Sequence, residues 1–151
     1  MVTIGKKVAE FTVPATGDKT LSLSDFEDKN LVIYFYPQDS TPGCTLEGQN
    51  FRDLYPEFQA ANTGILGVSR DSLKRHENFK CKQEFPFDLL SDEDEALSNQ
   101  IDVIHEKNMY GRKVLGIVRS TFLIDGKGVL RAEWRKVRVK GHVDEVLDAV
   151  K

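Results

Sequence analysis

The chain has 151 residues, 40% hydrophobic and 30% charged, the size and balance of one domain (1–151) with its own core. Lysine and arginine number 21 against 24 acidic residues, a net charge of -3, which excludes a nucleic-acid binder driven by bulk basic charge. No apolar run approaches the ~20 residues of a bilayer span, and the N-terminal stretch lacks the apolar segment of a secretory signal, so a cytoplasmic location with no membrane partner is expected. Two cysteines, Cys44 and Cys81, stand in a setting where a purely structural disulfide is not expected. Composition alone leaves them open between inert buried thiols and redox-active ones.

Residues 11–14 and 20–23 read as two short strands about a Gly17-Asp18 turn. The run 31–36, Leu-Val-Ile-Tyr-Phe-Tyr, is apolar on both faces and is stopped by Pro37, as a central strand of an α/β sheet would be. After a loop, Thr41-Pro-Gly-Cys44 opens a helical pattern continued by Phe51, Leu54, Tyr55, Phe58 and Ala61. Pro56 should split that helix near 52–55. A strand at 65–69 follows, then a polar helix within 71–84 capped by Asp71 or Ser72. A short strand at 86–90 leads into a helix starting at 91–94 and ending at Ile101. Residues 108–111 read as a Gly-bounded loop, open between a wall of the active pocket and simple packing. Strands 120–125 and 129–134 flank Gly126-Lys-Gly128 as a hairpin, and 143–150 closes the chain as a helix. The basic run from Arg131 to Lys140 alternates with Val137 and Val139 and reads as a strand with a solvated face. Strands alternating with helices imply a parallel core with an antiparallel edge. The arrangement is an α/β, thioredoxin-like fold with an N-terminal β-hairpin extension.

Within this frame Cys44 has a defined electrostatic setting. Thr41 is a good N-cap residue and Pro42 suits the first helical position, which places Cys44 at the third. Unpaired backbone N–H groups and the positive end of the helix dipole converge there and favour a thiolate over a thiol. The loop lies at the carboxyl end of a parallel strand, where open α/β sheets place their sites. Glu47, one turn on, has two readings. It is a first-turn carboxylate complementing the dipole, or it is paired to a cation, orienting an arginine.

The segment Tyr36-Pro-Gln-Asp-Ser-Thr-Pro-Gly-Cys-Thr-Leu-Glu47 resembles the active-site signature of the peroxiredoxins. Its Thr-Pro-Gly-Cys-Thr form is similar to the PrxQ type, also called bacterioferritin comigratory protein. The segments 89–94, 106–111, 119–125 and 134–142 extend the resemblance over nearly the whole chain. The resemblance implies a thiol peroxidase, monomeric and without cofactor or metal, acting on hydrogen peroxide and organic hydroperoxides. By residue it implies Cys44 as the peroxidatic cysteine and Thr41 as the group positioning peroxide. Pro37 shields the thiolate, Arg119 stabilises it and the developing charge, and Glu47 holds the arginine. It also implies that Cys81 resolves the oxidised Cys44 as an intramolecular disulfide, reduced in turn by thioredoxin or a similar dithiol. Some members of the family carry this cysteine soon after the first, where this chain has Gly48-Gln-Asn50, and others on the later helix; in one such form it directly follows an Asn-Phe pair, whereas Lys80 intervenes here, a turn of ~100° on a helix. From the residues alone Cys81 stays open between resolver and bystander. The competing class is a thioredoxin-fold binding module or holdase with silent cysteines. His76, His105 and His142 are scattered and lack zinc-ligand spacing.

Overall fold

The structure, a computed structural model, describes residues 2–151. Met1, the first residue of the stretch read above for a signal, lies outside the described residues, as does the side chain of Met109. A seven-stranded sheet carries the fold, its strands lying in the order 19–22, 12–15, 88–91, 63–69, 30–35, 120–124 and 130–135. β1 (Thr12–Ala15) and β2 (Lys19–Ser22) form the N-terminal hairpin. β3 (Asn30–Phe35), β4 (Thr63–Ser69) and β5 (Asp88–Ser91) run parallel to one another. β8 (Ser120–Ile124) and β9 (Leu130–Arg135) add the antiparallel edge beside β3. Among the described residues no helix is long and apolar enough to cross a membrane.

The alternation of side chains along β3 divides the core. Leu31, Ile33 and Phe35 pack with Phe11, Val13 and with Leu97 and Ile101 of α4 (Ala96–Ile101). Val32, Tyr34 and Tyr36 pack with Phe51 of α1 (Pro42–Asp53), Phe58 of α2 (Tyr55–Ala60), Phe79 of α3 (Leu73–Gln83) and Val146 of α5 (His142–Val150). A strand covered on both faces is uniformly apolar for this reason. Pro56 separates α1 from α2 at Leu54, as its missing donor requires. Ser72 caps α3, its side chain accepting from the Arg75 N–H.

Three local readings change. Residues 104–117 form a second sheet, β6 (Ile104–Met109) paired with β7 (Arg112–Ile117). The loop expected at 108–111 is its turn, in which Tyr110 and Gly111 have φ of 51° and 77°, the left-handed pair that a tight two-residue hairpin turn needs. α4 starts at Ala96, later than 91–94, because Asp92 is buried and its carboxylate accepts the N–H groups of Leu97 and Ser98. β9 ends at Arg135, so Val137 and Val139 lie beyond any strand. Arg135 turns inward and donates to the carbonyls of Ile101 and Asp102, satisfying the open end of α4.

The seating of α1 depends on Gly48. A β-carbon there would lie 2.4 Å from Cζ of Phe85, and that ring is held by Phe79 and Phe87 at 5.0 and 5.1 Å between centroids. Alanine favours a helix by about 1 kcal/mol over glycine, but overpacking a filled core costs about 1–3 kcal/mol. Gly48→Ala is therefore expected to lower the urea midpoint of unfolding; an unchanged or raised midpoint would show that α1 can lift without cost.

Candidate active site

The active end of the molecule is built from the carboxyl end of β3 and the start of β8. Antiparallel register pairs Phe35 with Ser120. The residue before Ser120, Arg119, is thereby set beside the loop that follows β3, although it lies 75 positions from Cys44. Thr41 occupies the N-cap with φ −82° and ψ 154°, Pro42 is the first helical residue, and Cys44 the third. The Thr41 side chain does not cap the helix as expected. Its hydroxyl donates back to the Gln38 carbonyl at 2.8 Å. Among the described residues the Thr41 side chain makes no cap bond at the start of α1, which leaves the leading N–H groups of the helix, the ones without an intrahelical partner, free of that acceptor. Pro37 is half-buried directly after the run of β3.

Cys44 is buried, and the Arg119 guanidinium reaches its Sγ from Nη2 at 3.2 Å. The other arm, Nη1, donates to Glu47 Oε1 at 2.6 Å. Glu47 is wholly buried and is paired with the arginine, the second of the two placements read for it from the sequence. Burial pushes its carboxyl up to about 7, with the Arg119 charge and hydrogen bond acting in the opposite direction. Its second oxygen, Oε2, has no partner among the described residues, consistent with that upward push. For Arg119 burial acts downward, yet Glu47 and Cys44 together leave it above its ordinary value.

Cys81 is exposed on α3, and both cysteines are free thiols. The structure does not bring them together. Lys107, from β6, bonds the Ile117 carbonyl two residues before Arg119. Burial, then the Arg119 and Arg70 charges, holds its ammonium below the usual range. His142 opens α5 and bonds Thr121 at 2.8 Å. Burial, with Arg119 adding to it, brings it down to about 4, so it is neutral at physiological pH.

Sequence reasoning missed a buried polar cluster behind the loop. Asp39, Asp71 and His76 bring ligand-type atoms within 4.8 Å of one another. Those atoms are engaged with protein partners: Asp39 with Tyr36 and His76, Asp71 with Ser69 and Arg75. The cluster is thus a hydrogen-bond network. A signal for it existed, because His76 and Phe79 fall three apart on the buried face of α3.

Residues 4–133 match the family model described as the AhpC/TSA family. Peroxiredoxin Bcp of Xanthomonas campestris pv. campestris is 57% identical over 145 residues, covering 91% of each chain. Peroxiredoxin Bcp of Bacillus subtilis is 45% identical over 150 residues, covering 99% of this chain and 96% of its own. Among solved structures, a mutant of PrxQ from Xylella fastidiosa superposes with a TM-score of 0.94 at 44% identity, covering 99% of this chain and 96% of that one. The bacterioferritin comigratory protein of Xanthomonas campestris, studied for alkyl peroxide reduction, gives a TM-score of 0.89 at 54% identity, covering 93% and 89%.

The position of Glu47 makes a test of stability against pH. A carboxyl whose folded value lies above its unfolded one binds its proton more tightly when folded. Its penalty on stability is absent below about 4.5, grows as pH rises, and is complete above about 7. Glu47→Gln keeps an acceptor for Nη1 and removes the titration. Urea unfolding of wild type and variant should show the variant gaining on wild type between those two pH values, by on the order of 3 kcal/mol at most. Parallel pH profiles would mean that Arg119 fully offsets the burial.

Proposed function

Because the chain belongs to the AhpC/TSA family, as a peroxiredoxin of the Bcp/PrxQ type, it is a thiol peroxidase, and we propose that it reduces hydrogen peroxide and organic hydroperoxides through Cys44. The observation that carries this reading is the divided guanidinium of Arg119, fixed on one side by Glu47 and donating on the other to Sγ. The Cys44 thiolate attacks one peroxide oxygen. The O–O bond breaks, the other oxygen leaves as hydroxide or alkoxide and takes up a proton, and the sulfur becomes a sulfenic acid. Negative charge is spread over three atoms in line during this step. Arg119 and the N–H groups at the start of α1 are the donors that meet it, and the Thr41 hydroxyl joins them by turning away from the Gln38 carbonyl it engages at rest. Arginine suits the role better than lysine, since it stays charged and offers two arms at once. Pro37 shields the thiolate at the mouth of the loop.

In the second half of the cycle the Cys81 thiolate attacks the sulfenic sulfur; the S–O bond breaks and hydroxide leaves, taking up a proton from solvent to become water, and a Cys44–Cys81 disulfide remains. A thioredoxin-like dithiol then reduces this bond by exchange. A disulfide needs Cα atoms within ~7 Å. A buried Cys44 and an exposed Cys81 meet only after local unwinding, so the bond is a catalytic one. In this reading residues 1–151 act as one domain, a monomer working in the cytoplasm. The alternative of a silent binding module gives way to the enzyme with the family assignment.

Peroxide consumption with thioredoxin tests the cycle. Cys44→Ser should be inert. Cys81→Ser should consume about one equivalent and stop, and a mass spectrum of the wild type after one equivalent should show the loss of two hydrogens. Undiminished turnover in Cys81→Ser would make that residue a bystander. Arg119→Ala should slow Cys44 oxidation by about 10²–10³-fold, the usual effect of losing one such donor.

A further inference from the structure

Asp39 sits between Pro37 and Thr41 and is almost wholly buried. Each of its polar groups is tied to the far side of the loop. Oδ1 accepts from the Tyr36 hydroxyl at 2.6 Å, and Oδ2 lies 2.6 Å from Nδ1 of His76. The backbone N–H donates to Asp71 Oδ2 at 2.8 Å, and that oxygen also accepts from Ser69. His76 is itself fully buried, and its Nε2 lies 2.8 Å from the Leu90 carbonyl. A carbonyl only accepts, so Nε2 carries a hydrogen. The imidazole therefore cannot face a bare carboxylate with an unprotonated Nδ1: one proton lies between Nδ1 and Oδ2. Through it, the loop that positions Thr41 and opens α1 is bolted to α3 and β5.

We propose that Asp39 and His76 are a positioning pair for peroxide reduction, their shared proton holding residues 37–41 in the arrangement that aims Thr41 and the start of α1 at the peroxide. The proposal rests on the thiol peroxidase reading with Cys44 as nucleophile. Neither residue touches the reacting atoms; both act through Thr41 and the helix start. Of the ties across the loop, this is the one whose two side chains are both almost wholly buried: Asp71, which takes the Asp39 N–H, is partly open to solvent, and Arg75 reaches the Asp39 carbonyl at 3.5 Å, while Thr41 bonds back to Gln38 within the loop.

The test uses single-turnover oxidation of Cys44 by hydrogen peroxide in the Cys81→Ser background, so that resolution plays no part. His76→Asn places an amide N–H where Nδ1 stood and keeps the contact with Asp39 while dropping Leu90. His76→Gln reaches Leu90 instead and drops Asp39. The Gln variant should lose roughly ten- to a hundredfold in the second-order rate constant, as displaced reacting groups do, and the Asn variant should stay within about threefold of the parent. Asp39→Asn gives a second arm. Its amide accepts from Tyr36 and donates to a neutral His76, so it should retain most of the rate, whereas Asp39→Leu should lose it. A merely structural role predicts rates that follow thermal stability regardless of which contact survives. Equal rates in His76→Asn and His76→Gln, or in Asp39→Asn and Asp39→Leu, overturn the positioning role. A parent that fails to oxidise Cys44 at all overturns instead the functional reading on which it rests.

Discussion

Glu47 has no access to solvent, and the group that answers its charge is Arg119 at 2.6 Å. A buried carboxylate is costly unless paired, and removing one partner of such a pair costs more than the pair contributes. The contact therefore works in both directions. It fixes the guanidinium so that its second arm meets Sγ, and it ties α1 to the strand edge at β8. Burial raises the Glu47 carboxyl while the Arg119 charge and hydrogen bond act against that rise, so the two effects oppose each other at one contact.

That contact in turn depends on sheet register. Phe35 opposes Ser120, and a slip of one residue would turn every β8 side chain to the other face. Buried Phe122, facing Phe35 at 5.7 Å between centroids, and Thr121, bonded to His142 on the opposite side, both resist such a slip. On the other flank, Asp39 and His76 join the loop to α3. Cys44 is thus met directly by Arg119, while the Asp39–His76 contact fixes the loop that leads into α1. The close approach of α1 to the aromatic cluster at Gly48 sets its depth.

The strands with strong composition were legible in the chain. The run 31–36 had no polar face to expose, and Gly126-Lys-Gly128 marked a turn. Pro56 split its helix for the reason any proline would. The position of Cys44 followed from Thr41 and Pro42, yet the direction of the Thr41 hydroxyl did not, because it is decided by a loop carbonyl three residues back. The partnership of Glu47 and Arg119 is a matter of tertiary register, which no local pattern carries; the resemblance supplied it. The β6–β7 hairpin was missed because β6 is mostly polar and β7 places its apolar Val114 and Leu115 side by side and exposed, without the hydrophobic alternation that marks a half-buried strand. Val137 and Val139 misled in the opposite sense, since they alternate with cations beyond the end of β9.

The two ends of α3 are held by different physics, and this bears on the proposed disulfide. The first turns are fastened by Ser72 and by the buried His76, bonded to Asp39 and Leu90. Beyond the buried Phe79, the last residues, which carry Cys81, are held by contacts nearer the solvent: Lys80 to Asp88, Gln49 to Gln83, and Arg52 to the Gln83 carbonyl. Ion pairs and hydrogen bonds open to water contribute about 1 kcal/mol or less each, whereas opening a buried pair exposes its full desolvation cost. The residues beyond Phe79, Cys81 among them, are accordingly the part of α3 that the proposed resolving step would open at least cost. The lysine that displaces Cys81 from the family's Asn-Phe-Cys register takes part in this, because Lys80 supplies one of those near-surface contacts. Unwinding the last turns releases Cys81 from any fixed helical face, so a register shift that would matter on a rigid helix loses its force in the resolving step.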